Sequence, residues 1–195
     1  MKNFCVFLVA ILCYLPSQGQ RVIRLESFNS KNVNKSVIYG EFVQRLGFSS
    51  GGFPQDVQII NIETNQIYTF RVKSTFKSSK ENSFSYLIEP GSYAIYNYIW
   101  VKSKWYGGEL YKEPIYANAD INQLRDGKDS DTDLNIGNRY IFTIKENTIN
   151  YLGTWDFSKE VVSFRNEKER FDAKILKRFK TLDVKNANVL IPRSN

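Results

Sequence analysis

Six acidic side chains in the middle of this 195-residue chain have a spacing from which chemistry could start. Glu109 and Glu113 lie four apart beside aromatic residues. Two carboxylates can act as acid and base when their environments push their pKa values apart, so this pair defines one reading: a secreted carboxylate-dependent hydrolase acting on a glycan. The adjoining Gly107-Gly108 argues instead for a loop whose carboxylates face water. Asp126, Asp129, Asp131 and Asp133, followed by Asn135, form the densest acidic run. Asp129, Asp131 and Asp133 alternate as in a calcium loop. However, Leu134 stands where such a loop needs glycine, and Tyr140 stands where it needs a bidentate glutamate. The expectation is a solvated loop, with weak calcium binding as its only cofactor chemistry.

Other catalytic classes lack their residues. The chain has no histidine, which removes the usual near-neutral base and any Ser-His-Asp arrangement. Its two cysteines, Cys5 and Cys13, both fall in MKNFCVFLVAILCYLPSQG, residues 1–19. Lys2, the apolar run 4–15, Pro16 and the small residues Ser17 and Gly19 have the organisation of a secretory signal peptide. The apolar run is too short to span a bilayer comfortably. Cleavage before Gln20 would leave no cysteine, so thiol catalysis and cysteine or histidine metal sites would be lost. The expected location is secreted or periplasmic, with peripheral attachment to the cell envelope open and no transmembrane segment after processing. The net charge of +7 suits solubility, and no nucleic-acid partner is expected because aromatics do not interleave with arginines.

The remaining candidate chemistry is recognition. In SYAIYNYIWVK, residues 92–102, strict alternation puts Tyr96, Tyr98 and Trp100 on one face and Tyr93, Ile95, Asn97, Ile99 and Val101 on the other. The isoleucine–valine face reads as core. The aromatic face, extended by Trp105 and Tyr106, is then either covered by the protein itself or open as a platform for a protein, peptide or glycan. Coverage by the long excursion at 103–137 is the leading expectation.

These residues need a scaffold. Short runs at 36–44, 57–64, 66–74, 84–89, 92–102, 139–146, 148–155 and 161–164 read as strands between turn signals. Residues 167–182 then change period. Phe171, Ile175, Leu176, Phe179 and Leu182 form an apolar stripe, with Asn166 placed to cap it. The pattern predicts an all-β chain: residues 20–195 as one β-sandwich of seven or eight short strands with a C-terminal amphipathic helix docked on a sheet. A small β-barrel is the alternative.

Leu87-x-x-Pro90-Gly91-x-Tyr93 is similar to the turn found in transthyretin-like and carboxypeptidase-regulatory-like β-sandwich modules. Gly40-Glu41-Phe42-Val43 resembles an early strand of such modules, and residues 137–153 look like a pattern in secreted bacterial proteins of unassigned function. The resemblance implies a non-catalytic extracytoplasmic module and brings no catalytic residues. The expected function is therefore a non-catalytic binding or envelope-associated interaction module.

Overall fold

A computed structural model describes residues 20–21, 23–24, 34–45, 53–73, 81–117, 138–159, 161–178 and 183–194. The signal-like segment 1–19, the aspartate run containing Asp129, Asp131 and Asp133, and Phe179 and Leu182 lie outside the described residues.

The chain is an all-β, two-sheet sandwich. The strands are β1 (Gln20–Arg21), β2 (Ile23–Arg24), β3 (Ser36–Val43), β4 (Gln55–Asn61), β5 (Ile67–Lys73), β6 (Glu81–Ile88) and β7 (Gly91–Lys104). They continue with β8 (Gly107–Pro114), β9 (Tyr140–Ile144), β10 (Ile149–Asp156), β11 (Ser163–Arg165), β12 (Asn188–Val189) and β13 (Arg193–Ser194). Helix α1 (Lys168–Arg178) follows β11. One sheet runs β1-β5-β4-β7-β9-β13, with β8 also on β7; the other runs β11-β10-β3-β6-β2, with β12 also on β10. The two sheets do not close into a barrel among the described residues.

The Pro90-Gly91 turn carries the chain from one sheet to the other rather than closing a hairpin, since β6 and β7 belong to different sheets. Gly91 sits at φ 144°, and a Cβ there would come within 2.6 Å of the Asn61 amide nitrogen. Glu146-Asn147, with Asn147 at φ 52°, similarly links β9 to β10 across the sandwich.

The inner faces meet in an aromatic core. Trp155 stands against Phe42, Phe84, Phe142 and Phe164 in edge-on contacts, and its indole N–H donates to the Leu152 carbonyl at 2.8 Å. Edge-to-face contact matches the positive rim of one ring to the negative face of another. Strand β3 is buried at every residue because both of its faces are covered. Ile38 and Phe42 point into the sandwich, while Tyr39 packs on Tyr151 beneath Phe171 and Ile175 of α1. The expected amphipathic helix thus docks on the outside of the β3–β10 sheet. The Asn166 side chain accepts from the Lys168 N–H at 3.2 Å, as the cap reading requires.

Besides a register shift between Gln55 and Asp56 where β4 pairs with β5, two bulges depart from strict alternation. In β7, Gln58 pairs with Asn97 and Ile59 with Ile95, which leaves Tyr96 as an extra residue. In β10, Tyr39 pairs with Tyr151 and Glu41 with Thr154, which inserts an extra residue near Gly153 at φ 90°. Each bulge reverses which parity faces the core. The core face of β7 reads Tyr93, Ile95, then Tyr98 and Trp100. This corrects the expectation that Tyr98 and Trp100 share a face opposite Tyr93 and Ile95 along the whole strand.

A second correction concerns 103–137. Residues 107–114 are not loop but strand β8, which pairs with β7 from Asn97↔Pro114 to Lys104↔Gly107. The excursion therefore begins as a hairpin continuing β7 instead of folding back over it.

Candidate functional site

The β7–β8 hairpin gathers all five expected recognition residues on one ribbon but gives them different environments. Strand β4 pairs with β7 only as far as Ile99. Beyond it, among the described residues, Trp100–Lys104 is paired by β8 alone, and at about 3.3 Å per residue the hairpin overhangs the last β4 pair by about 16 Å. The ribbon closes through a two-residue turn, Trp105-Tyr106, before Gly107 at φ 135°.

Tyr98 forms part of the core. It is 1% exposed, stacks on Phe157 at 4.6 Å, and donates from its hydroxyl to the Gln55 side-chain oxygen. Burial pushes its phenol well above the ordinary tyrosine range. Trp100 is half-buried at the base of the overhang. It stacks on Tyr111 of β8 at 4.7 Å, and its indole N–H donates to Glu113 at 2.7 Å. Arg45 closes this corner: its Nη1 donates to both Glu113 oxygens at 2.8 and 3.0 Å. The guanidinium lies 5.4 Å and 5.6 Å from the Tyr98 and Trp100 rings, within cation–π range.

Tyr96, the bulge residue, is held from another direction. Arg139, 4% exposed, donates from Nη1 to the carbonyls of Tyr96 and Ile115, each at 2.9 Å. Its guanidinium also lies 5.1 Å from the Tyr96 ring and 4.0 Å from the Tyr116 ring. The bulge carbonyl accepts the Ile115 N–H as well, at 2.9 Å. The root of the hairpin is therefore fastened on both sides by buried or half-buried arginines.

The tip is different. Trp105 is 95% exposed, Tyr106 67% and Leu110 69%. The Trp105 and Tyr106 rings stand edge to face, 5.3 Å apart at 88°. Phe53 and Val101 extend the apolar surface on the side carrying Leu110. There a Cβ on Gly108 would stand 2.5 Å from Val101 and 3.2 Å from Phe53. Lysines lie behind the turn on both faces of the ribbon: Lys102 and Lys104 on the Trp100 side, Lys112 on the Leu110 side. Lys104 bridges Glu109 at 2.6 Å, and this contact raises the lysine pKa and lowers that of Glu109.

The carboxylate pair of the hydrolase reading is split by this geometry. Glu109 and Glu113 share a face but lie four strand residues apart, about 13 Å. Glu109 is engaged by Lys104 and Tyr111, and Glu113 by Arg45 and Trp100. Among the described residues no group of three or more acidic, histidine or cysteine side chains is placed to hold a metal ion. No described helix is long and apolar enough to cross a membrane.

Arg45, Arg139, Leu110 and Tyr111 did not emerge from the sequence as site residues. Period-2 alternation in Glu109-Leu110-Tyr111-Lys112-Glu113 was the available signal for β8, masked by the loop-like Gly107-Gly108 before it. Neither a known protein family, nor a curated protein, nor a solved structure matches this chain.

Proposed function

We propose that this chain is an exported, non-catalytic β-sandwich protein that attaches peripherally to the cell envelope through the tip of the β7–β8 hairpin. The observation that carries the reading is the contrast along one ribbon. Its root is fixed by Arg45 and Arg139, while Trp105 and Tyr106 stand in water at its end. Large aromatic side chains offer much apolar area at a small entropic cost of ordering, which is why recognition surfaces favour them. Holding the root rigid lowers the cost of binding further. The signal-like segment 1–19 and the resemblance of Leu87–Tyr93 to transthyretin-like modules support an extracytoplasmic setting.

Cell fractionation tests the proposal. The exported chain should begin at Gln20 and sediment with the envelope. A Trp105→Ala, Tyr106→Ala variant with an unchanged unfolding midpoint should move to the soluble fraction. A variant that stays on the envelope would overturn the hairpin as the attachment element. An intact N-terminus on the natural protein would overturn export by cleavage.

A further inference from the structure

We propose that the hairpin tip binds the interfacial region of an anionic lipid bilayer, a step that rests on the tip being the attachment element. The shape of the tip favours this partner over two others. A flat sugar-stacking platform needs coplanar or successive parallel rings, whereas Trp105 and Tyr106 stand at 88° to each other. A stable protein interface removes about 800 Å² per partner from water. The two tip rings, at about 150–250 Å² each, supply about half of that. A convex apolar point needs no preformed complementary surface when its partner is deformable.

The chemistry agrees with the shape. Trp and Tyr have an apolar body and a polar edge, and both concentrate at bilayer interfaces. Leu110 and Phe53 continue the apolar surface behind them. Residues 100–112 carry Lys102, Lys104 and Lys112 against Glu109 alone, a net +2 (three minus one). Lysine stems lie along apolar surface while their amines stay with polar headgroups. Lys102 and Lys104 follow the tip on the Trp100 face of the ribbon, so tilting toward that face keeps amines near anionic headgroups. The reach is sufficient: an overhang of about 16 Å exceeds the about 5–10 Å depth at which interfacial elements sit. The sandwich can remain in water.

The test is sedimentation of the naturally exported protein with vesicles of phosphatidylcholine containing 30% phosphatidylglycerol, a composition chosen as about one-third anionic. Binding should saturate, weaken as salt rises, and fall at least tenfold on pure phosphatidylcholine. Lys102→Ala should weaken it about fivefold, the effect of one lysine near a charged surface. Trp105→Ala, Tyr106→Ala should abolish it with the unfolding midpoint unchanged. Absence of vesicle binding, or equal binding to neutral vesicles, would overturn the lipid inference. If the same variant still leaves the envelope fraction in cells, the hairpin reading stands and its partner is not lipid. Vesicle binding that survives loss of both aromatics would overturn both.

Discussion

Arg139 donates at 2.9 Å to the carbonyl of Tyr96, the one residue of β7 that the β4 ladder skips. The same guanidinium nitrogen reaches the Ile115 carbonyl just beyond β8. One buried cation therefore satisfies the bulge and ties the end of the hairpin back to its beginning. Arg139→Met keeps much of the side-chain volume but leaves the Ile115 carbonyl without this donor. A buried polar group left unpaired costs about 1–3 kcal/mol, so chemical unfolding should show a loss in that range. Arg139→Lys should recover only part of it, because an ammonium cannot reproduce the planar guanidinium set between Tyr96 and Tyr116.

The second bulge is intolerant of side-chain atoms. A Cβ at Gly40 would stand 2.4 Å from the Gly153 carbonyl oxygen and 2.7 Å from the Phe84 ring. Backbone occupies one side and packed core the other, so neither can yield cheaply. Gly40→Ala should destabilise by about 1–3 kcal/mol or more, far beyond the usual effect of adding one methyl group to a strand. A denaturation midpoint equal to that of the wild type would refute the close approach of β3 and β10.

Glu41 is fully buried, yet its partners Arg170 and Lys174 are about half exposed, at 2.9 and 2.6 Å. The two ends of this bridge are therefore unequal. Glu41→Gln leaves cations that can turn to water, and should cost about 1 kcal/mol. Arg170→Ala with Lys174→Ala strands a buried carboxylate, and should cost about 3–5 kcal/mol. Equal losses in the two variants would contradict the burial of Glu41 beneath α1.

Stability should also fall in acid through Glu167. Burial disfavours its ionised form, but hydrogen bonds from Arg170 and Thr154 outweigh this and hold the carboxyl below its ordinary value of 4.5. A lowered folded-state pKa means that the native state favours the deprotonated form. Its contribution is full above about pH 4.5 and disappears as the pH falls through the lower folded value. Unfolding midpoints measured from pH 7 down to pH 3 should decline, and Glu167→Gln should flatten part of that decline. An unchanged slope would show that Glu167 gains nothing from its partners.

The sandwich was legible because strands and helix announce themselves by period. Phe171, Ile175 and Leu176 marked the docking face of α1, and Asn166 its cap, from spacing alone. The placement of the aromatic strand was not legible in the same way. A bulge adds one residue without changing composition, so Tyr96-Asn97-Tyr98 reads as plain alternation although the parity reverses there. The polar Asn97 on the supposed core face was the one local sign; its amide donates to Gln58 at 3.0 Å. Strand β8 was hidden for another reason: Gly107-Gly108 fits a loop equally well, and only the pairing partner decides. Arg45 and Arg139 could not be found by motif, since each acts on residues that are distant in sequence.

The most direct measurement is quenching of tryptophan emission by phosphatidylglycerol vesicles whose acyl chains carry bromine. Trp155 lies in the core and Trp100 at the hairpin root, so Trp105 is the indole placed to meet lipid. Insertion of the hairpin tip into the bilayer predicts that brominated vesicles reduce emission in the wild type, and that Trp105→Ala removes this quenching while leaving the remaining emission unaffected. Emission that is untouched by bromine, or quenched equally in Trp105→Ala, would contradict it.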